Sequence, residues 1–140
     1  MLTLKRVAAT ILLTVATIGV TVGVTSAPAQ ASPSYCWGWD SFQTFNPWVG
    51  YGYARVPIGS GGTNCLLYQG INSGGVYALQ ASLNFCYGQG ISVDGAFGPQ
   101  TYQALVNVQA AEGISADGVY GPETRDHIWH YDGGNFCGKF

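Results

Sequence analysis

The chain has 140 residues, is 47% hydrophobic, and carries five Lys or Arg against seven Asp or Glu, for a formal net charge of −2. A chain this sparing in charge, and on the acidic side, cannot neutralise a run of phosphates. Nucleic acid and an anionic membrane surface are excluded as partners on that ground.

In chain order, the first 31 residues read as a secretory signal peptide. Lys5 and Arg6 form a basic start, Val7 to Val24 is an uncharged and largely apolar run, and Ala29-Gln30-Ala31 is a small-residue cleavage site. A membrane anchor is the rival reading, because the run approaches spanning length. Thr10, Thr14, Thr17, Thr21 and the cleavage site favour removal after Ala31. The exported chain would then begin at Ser32, with no membrane attachment, and it is expected to be a monomer.

Residues 32–74 are rich in glycine and aromatics, among them Trp37, Trp39, Phe42, Phe45, Trp48, Tyr51 and Tyr53. No helical period survives, so the segment is expected to be irregular, with short strands near Gly50–Val56 and Cys65–Tyr68. Its rings either cover a core or stack on sugars, and the sequence leaves both open.

Residues 75–131 change character. Val76, Leu79, Leu83 and Cys86 recur at helical spacing over Gly75–Tyr87. A second helix starts at Pro99, carries Thr101, Ala104, Leu105, Val108 and Ala111 on one face, and stops at Gly113. A third starts at Pro122 and carries Thr124, Ile128 and Tyr131 inward, leaving 132–140 as a tail. The loops before the second and third helices repeat. Asp94 and Asp117, Gly98 and Gly121, Pro99 and Pro122, and Thr101 and Thr124 stand 23 residues apart. Two copies are too few for a solenoid, so one compact unit of three helices is expected.

Two Asp-Gly-x-[Phe/Tyr]-Gly-Pro-x-Thr motifs result: Asp94-Gly95-Ala-Phe97-Gly98-Pro99-Gln-Thr101 and Asp117-Gly118-Val-Tyr120-Gly121-Pro122-Glu-Thr124. With Gln80 and Gln109 at matching places, this segment resembles the peptidoglycan-binding domain, type 1-like family, from Gly75 to about Tyr131. One departure is Val108, where that family usually has Phe. The resemblance implies a mainly α fold: a compact three-helix domain preceded by the irregular, disulfide-stapled segment. It also implies bacterial cell-wall peptidoglycan as ligand and no cofactor.

Turn and cap chemistry accounts for most motif residues, so Asp94, Gly95, Phe97, Gly98, Pro99, Thr101, Asp117, Gly118, Gly121, Pro122 and Thr124 are expected to hold the fold. Gln80 and Gln109 are expected to brace the loop backbones. Ligand contact then falls to neighbours in a groove between helices 2 and 3: Gln103 and Asn107 off the core face, Tyr102 and Tyr120 as an aromatic wall, and Arg125 as a carboxylate grip. Arg125 could equally pair with Asp126 or Glu123.

Catalysis is not expected. His127 and His130 are the only histidines, which leaves a metal site short of ligands. Asp94 and Asp117 are already committed to turns, so they make a poor glycosidase pair. Cys36, Cys65, Cys86 and Cys137 form no Cys-x-x-Cys pair and read as two disulfides rather than zinc ligands. Three pairings are open. The expected one joins Cys36 to Cys65 and Cys86 to Cys137, stapling first the N-terminal segment and then the two ends of the helical unit. A non-catalytic, secreted peptidoglycan-binding module is the leading function. A minimal wall hydrolase, or a structural or inhibitory protein that has lost wall binding, are the alternatives.

Overall fold

The computed structural model describes residues 34–140; the expected signal peptide lies outside the described residues. The aromatic stretch after Cys36 is not irregular. It folds into a ribbon of two nine-residue strands, β1 (Gly38–Asn46) and β2 (Gly50–Ile58), paired antiparallel from Gly38 opposite Ile58 to Asn46 opposite Gly50. Asn46 makes the turn: its Oδ1 accepts from Trp48 N at 2.9 Å and Val49 N at 3.3 Å, and Gly50 leaves the turn at φ +90°. Asn46 Nδ2 also donates to Cys137 O at 2.8 Å, which ties the turn to the end of the chain.

Three helices follow: α1 (Gly74–Phe85), α2 (Pro99–Ala111) and α3 (Pro122–His127). Ser73 caps α1 by accepting from Val76 N at 3.2 Å, while proline at the first position opens α2 and α3, where no N–H partner is needed. The third helix is shorter than its periodicity suggests. Ile128 is extended at ψ 159°, and Trp129–Tyr131 forms β3, paired antiparallel with β4 (Cys137–Lys139). The four strands make one antiparallel sheet in the order β2-β1-β4-β3.

The expected mainly α fold is therefore corrected to a mixed one, with 30% strand and 29% helix among the described residues. Three helices are present, but they share the core with a sheet. The physical reason is that aromatic strand formers flank a good turn, and a C-terminal strand is pinned beside β3 by the Cys86–Cys137 bond.

Both disulfides pair as expected, Cys36 with Cys65 and Cys86 with Cys137. The first lies within the core, beside Leu67, Leu79, Leu83, Phe97, Leu105 and Tyr120. Val108 is buried there as well. The extended residues 66–73 link the ribbon to the helices. Leu67 exchanges both backbone bonds with Tyr120, Gly70 N donates to Phe97 O, and Ser73 N donates to Gly95 O. A polar relay closes the far end: Trp129 N donates to Tyr87 Oη at 2.8 Å, Tyr87 donates to Glu112, and Lys139 Nζ reaches Glu112 Oε2 at 2.6 Å. Burial, and then the bond to Glu112, push the Tyr87 pKa up, so its hydroxyl stays a donor. No helix among the described residues is long and apolar enough to cross a membrane.

His130 on β3 is fully buried, with Nε2 donating to Arg125 O at 2.9 Å. Burial pushes its pKa down from 6.5 to about 4, so it is held neutral. The unfolded chain binds this proton more readily. The contribution to stability is thus complete above about pH 6.5 and is lost as pH falls towards 4, by about 3 kcal/mol in all. Urea unfolding at steps from pH 7.5 to 4 should show that loss, and His130→Gln should flatten it. An unchanged slope in the variant would assign the acid sensitivity to the carboxylates instead.

Candidate functional site

The two motif loops are built by the same local chemistry. Gln80, buried on α1, uses both ends of its amide. Nε2 donates to Asp94 Oδ1 (3.0 Å), Ala96 O (2.9 Å) and Thr101 Oγ1 (3.0 Å), while Oε1 accepts from Asp94 N (3.0 Å) and Gly95 N (2.8 Å). Gln109 on α2 repeats this one loop later. It donates to Asp117 Oδ1 (3.1 Å), Val119 O (2.9 Å) and Thr124 Oγ1 (3.0 Å), and accepts from Gly118 N (2.9 Å). Each aspartate closes its own turn on the second residue after it, Ala96 N or Val119 N, at 2.9 Å. A single amide thus fastens each loop to the helix before it and to the first turn of the helix after it. Gly95 at φ +77° and Gly118 at φ +71° supply the left-handed backbone these turns require.

The copies differ in one respect. The glutamines stand 29 residues apart and the loops 23, so the first connection is six residues longer. Asn84 holds the extra length in place: Ile91 N donates to Asn84 Oδ1 at 2.8 Å, and Asn84 Nδ2 donates to Ile91 O. Against α2 this longer loop leaves a concavity of about 460 Å³, lined by Gln80, Ser92, Asp94, Ala96, Gly98, Pro99, Gln100 and Thr101. A second, of about 220 Å³, lies among Gln89, Ile91, Gln100, Gln103, Ala104 and Asn107. Gln100 borders both, so the two concavities adjoin along α2, and together they are the groove. Its chemistry is mostly amide. Gln103 Nε2 donates to Asn107 Oδ1 at 3.0 Å, and Asn107 Nδ2 donates to Gln89 Oε1 at 3.3 Å. One charge is present: the Ala96 N–H and then the Gln80 amide hold the Asp94 carboxyl below its ordinary value, so it is ionised at neutral pH.

Of the five residues expected at the ligand, Gln103 and Asn107 line this groove together. The other three do not join them. Tyr120 has no exposed surface and belongs to the core, so it forms no aromatic wall. Tyr102 lies across Gly118, where an added Cβ would meet its Cε2 at 2.1 Å. Arg125 is folded onto the protein. Nε pairs with Asp126 Oδ1 at 2.7 Å, Nη1 donates to Thr63 O and Oγ1, and the guanidinium lies 4.8 Å from the Phe140 ring centroid. Its side chain is 15% exposed, which leaves no open fork for a carboxylate. The groove therefore runs between the first loop and α2, not between α2 and α3. Gln89, Ile91, Ser92 and Gln100 were not singled out from the sequence, and the six-residue excess before the first motif was the signal that could have found them. His127 and His130 do not form a pair on one helix, since α3 ends between them. Among the described residues no group of three or more metal-ligating side chains comes together.

Paired loops, each braced by one buried amide between consecutive helices, define a helical module of repeat type with a groove beside its longer loop. Residues 72–128 match the family described as "Putative peptidoglycan binding domain", and this segment of the chain belongs to that family. Among solved structures, the N-terminal domain of SleB is 36% identical over 44% of this chain and 84% of its own length, with a TM-score of 0.42. A peptidoglycan-binding protein from Clostridioides difficile, crystallised with glutamine hydroxamate, is 26% identical over 61% of this chain, with a TM-score of 0.45. The match spans 54% of that protein's length. No curated protein matches the chain.

Proposed function

We propose that the protein is a secreted, non-catalytic module that binds bacterial cell-wall peptidoglycan through the groove between the first motif loop and α2. The observation that carries this reading is a family-matched double loop whose longer copy opens a groove lined by Gln89, Gln100, Gln103 and Asn107. Carboxamides both donate and accept, so they suit a ligand rich in amide bonds, as stem peptides and N-acetyl groups are. Asp94 adds one fixed negative charge at the mouth, suited to an amine on a stem peptide. Two disulfides and the basic-then-apolar start of the sequence favour export. Binding without chemistry is favoured because the carboxylate lining the groove is already bonded to Gln80 and Ala96, while His130 is sealed in the core.

Gln103→Ala combined with Asn107→Ala is expected to weaken co-sedimentation with purified peptidoglycan roughly tenfold, as loss of a few polar contacts should. Both side chains are exposed, so the helical circular dichroism should not change. Undiminished binding by the folded variant would move the site away from this groove.

A further inference from the structure

One face of the β1–β2 ribbon is built into the fold and the other is not. On the inner face, Thr44, Ala54 and Val56 are buried, and Phe42 packs edge-on against Phe140 at 5.5 Å. Gly52 lies so close to Phe136 that an added Cβ would sit 2.7 Å from the ring. Strand alternation and the register place Phe45 opposite Tyr51, Gln43 opposite Tyr53, and Ser41 opposite Arg55 on the outer face. Four large rings there are exposed: Tyr51 is 75% exposed, Tyr53 64%, Phe45 47% and Trp39, which lies against Arg55, 39%. Aromatic side chains left outside on a rigid, well-packed support are the informative kind of exposure.

We propose that this outer face is a second binding surface, on which Tyr51, Tyr53 and Phe45 stack against the C–H faces of a neutral, linear polysaccharide strand. Phe45 and Tyr51 form one tilted pair, with centroids 5.2 Å apart. Tyr53 follows Tyr51 on the same strand face, about 7 Å further on, so an extended glycan lying along β2 meets both rings. The carboxamide of Gln43 and the hydroxyl of Ser41 stand beside the rings, where sugar hydroxyls would need partners. Arg55 is folded back 4.7 Å from the Trp39 centroid, and Lys139, opposite Phe45 on β4, is paired with Glu112, so neither charge on the face stands free, which suits an uncharged ligand. A lipid surface fits less well, because inserting these rings would bury Gln43 and Ser41 without partners. The face lies outside residues 72–128 and does not depend on the groove.

The full chain should be retained on chitin and on peptidoglycan glycan strands freed of their stem peptides. Tyr51→Thr with Tyr53→Thr keeps β-branched strand formers and should lower that affinity roughly tenfold. Tyr51→Phe with Tyr53→Phe should retain most of the binding. The proposal is overturned if neither peptide-free glycan retains the chain, or if the threonine variant binds as well as the parent. It is equally overturned if the tyrosines instead control binding to phosphatidylcholine vesicles or self-association in the centrifuge. Failure here with continued binding to intact peptidoglycan would leave the groove reading standing.

Discussion

Gln80→Leu is expected to lower the free energy of unfolding by about 3–5 kcal/mol. The side chain is 1% exposed; its two N–H groups are shared among three acceptors, and its Oε1 accepts from two backbone N–H groups. Leucine fills a similar volume, so loss of packing is minor beside the polar loss. The backbone N–H groups of Asp94 and Gly95 and the carbonyl of Ala96 lose a partner at once, and each unmade buried bond costs about 1–3 kcal/mol. Partial access of water to this loop keeps the total below the sum of those costs. Gln80→Glu should not rescue the loss, because a carboxylate cannot donate and would face the Asp94 carboxylate. Thr101→Val removes the bond from Gln80 and a long 3.5 Å bond to Ala96 O, and should cost only about 1 kcal/mol. Urea unfolding of the three variants measures these differences. A Gln80→Leu loss no larger than that of Thr101→Val would mean that the brace is not what holds the loop. Asp94 and Ala96 line the groove, so Gln80→Leu should also weaken ligand retention at temperatures where the protein is still folded.

Loss of the Cys86–Cys137 bond is the second large effect. The bond closes a sequence separation of 51 residues that contains all of α2 and α3. By loop entropy, its removal costs about 4 kcal/mol. It also frees β4, which contributes only three residues to the sheet and whose ladder cannot persist unaided. The double variant Cys86→Ala/Cys137→Ala should therefore lose roughly 10 °C or more in Tm. The short β3–β4 pair should lose amide-exchange protection before the helices do. A uniform loss of protection across the chain would contradict that order.

The helical half was largely legible in the sequence because its determinants are local. Proline at the starts of α2 and α3, glycine in the Asp-Gly turns, and the buried periodic positions act over a few residues. The sheet was less legible: a short strand was expected near Gly50–Val56, where β2 runs, but β1, β3 and β4 were not. A half-buried strand is normally betrayed by apolar and polar residues in alternation. Here aromatics occupy both faces of the ribbon, with Phe42 inside and Phe45 and Tyr51 outside, so the period of two is erased. β3 was hidden differently. Thr124, Ile128 and Tyr131 sit at helical spacing, yet Trp129–Tyr131 is drawn into a ladder by a partner strand and a disulfide that only tertiary structure brings near. Arg125 and Tyr120 were misplaced for a related reason. Thr63, Phe140 and Leu67 approach them from outside the repeat, and nothing within the motif announces those contacts.

Peptidoglycan binding is the central claim, and co-sedimentation of the full chain with purified peptidoglycan, stripped of attached polymers, tests it most directly. The expected result is saturable retention in the pellet, weakened by Gln103→Ala/Asn107→Ala, with no muropeptides released into the supernatant. A folded chain that stays in the supernatant at every peptidoglycan concentration, or one that releases muropeptides, would contradict the account.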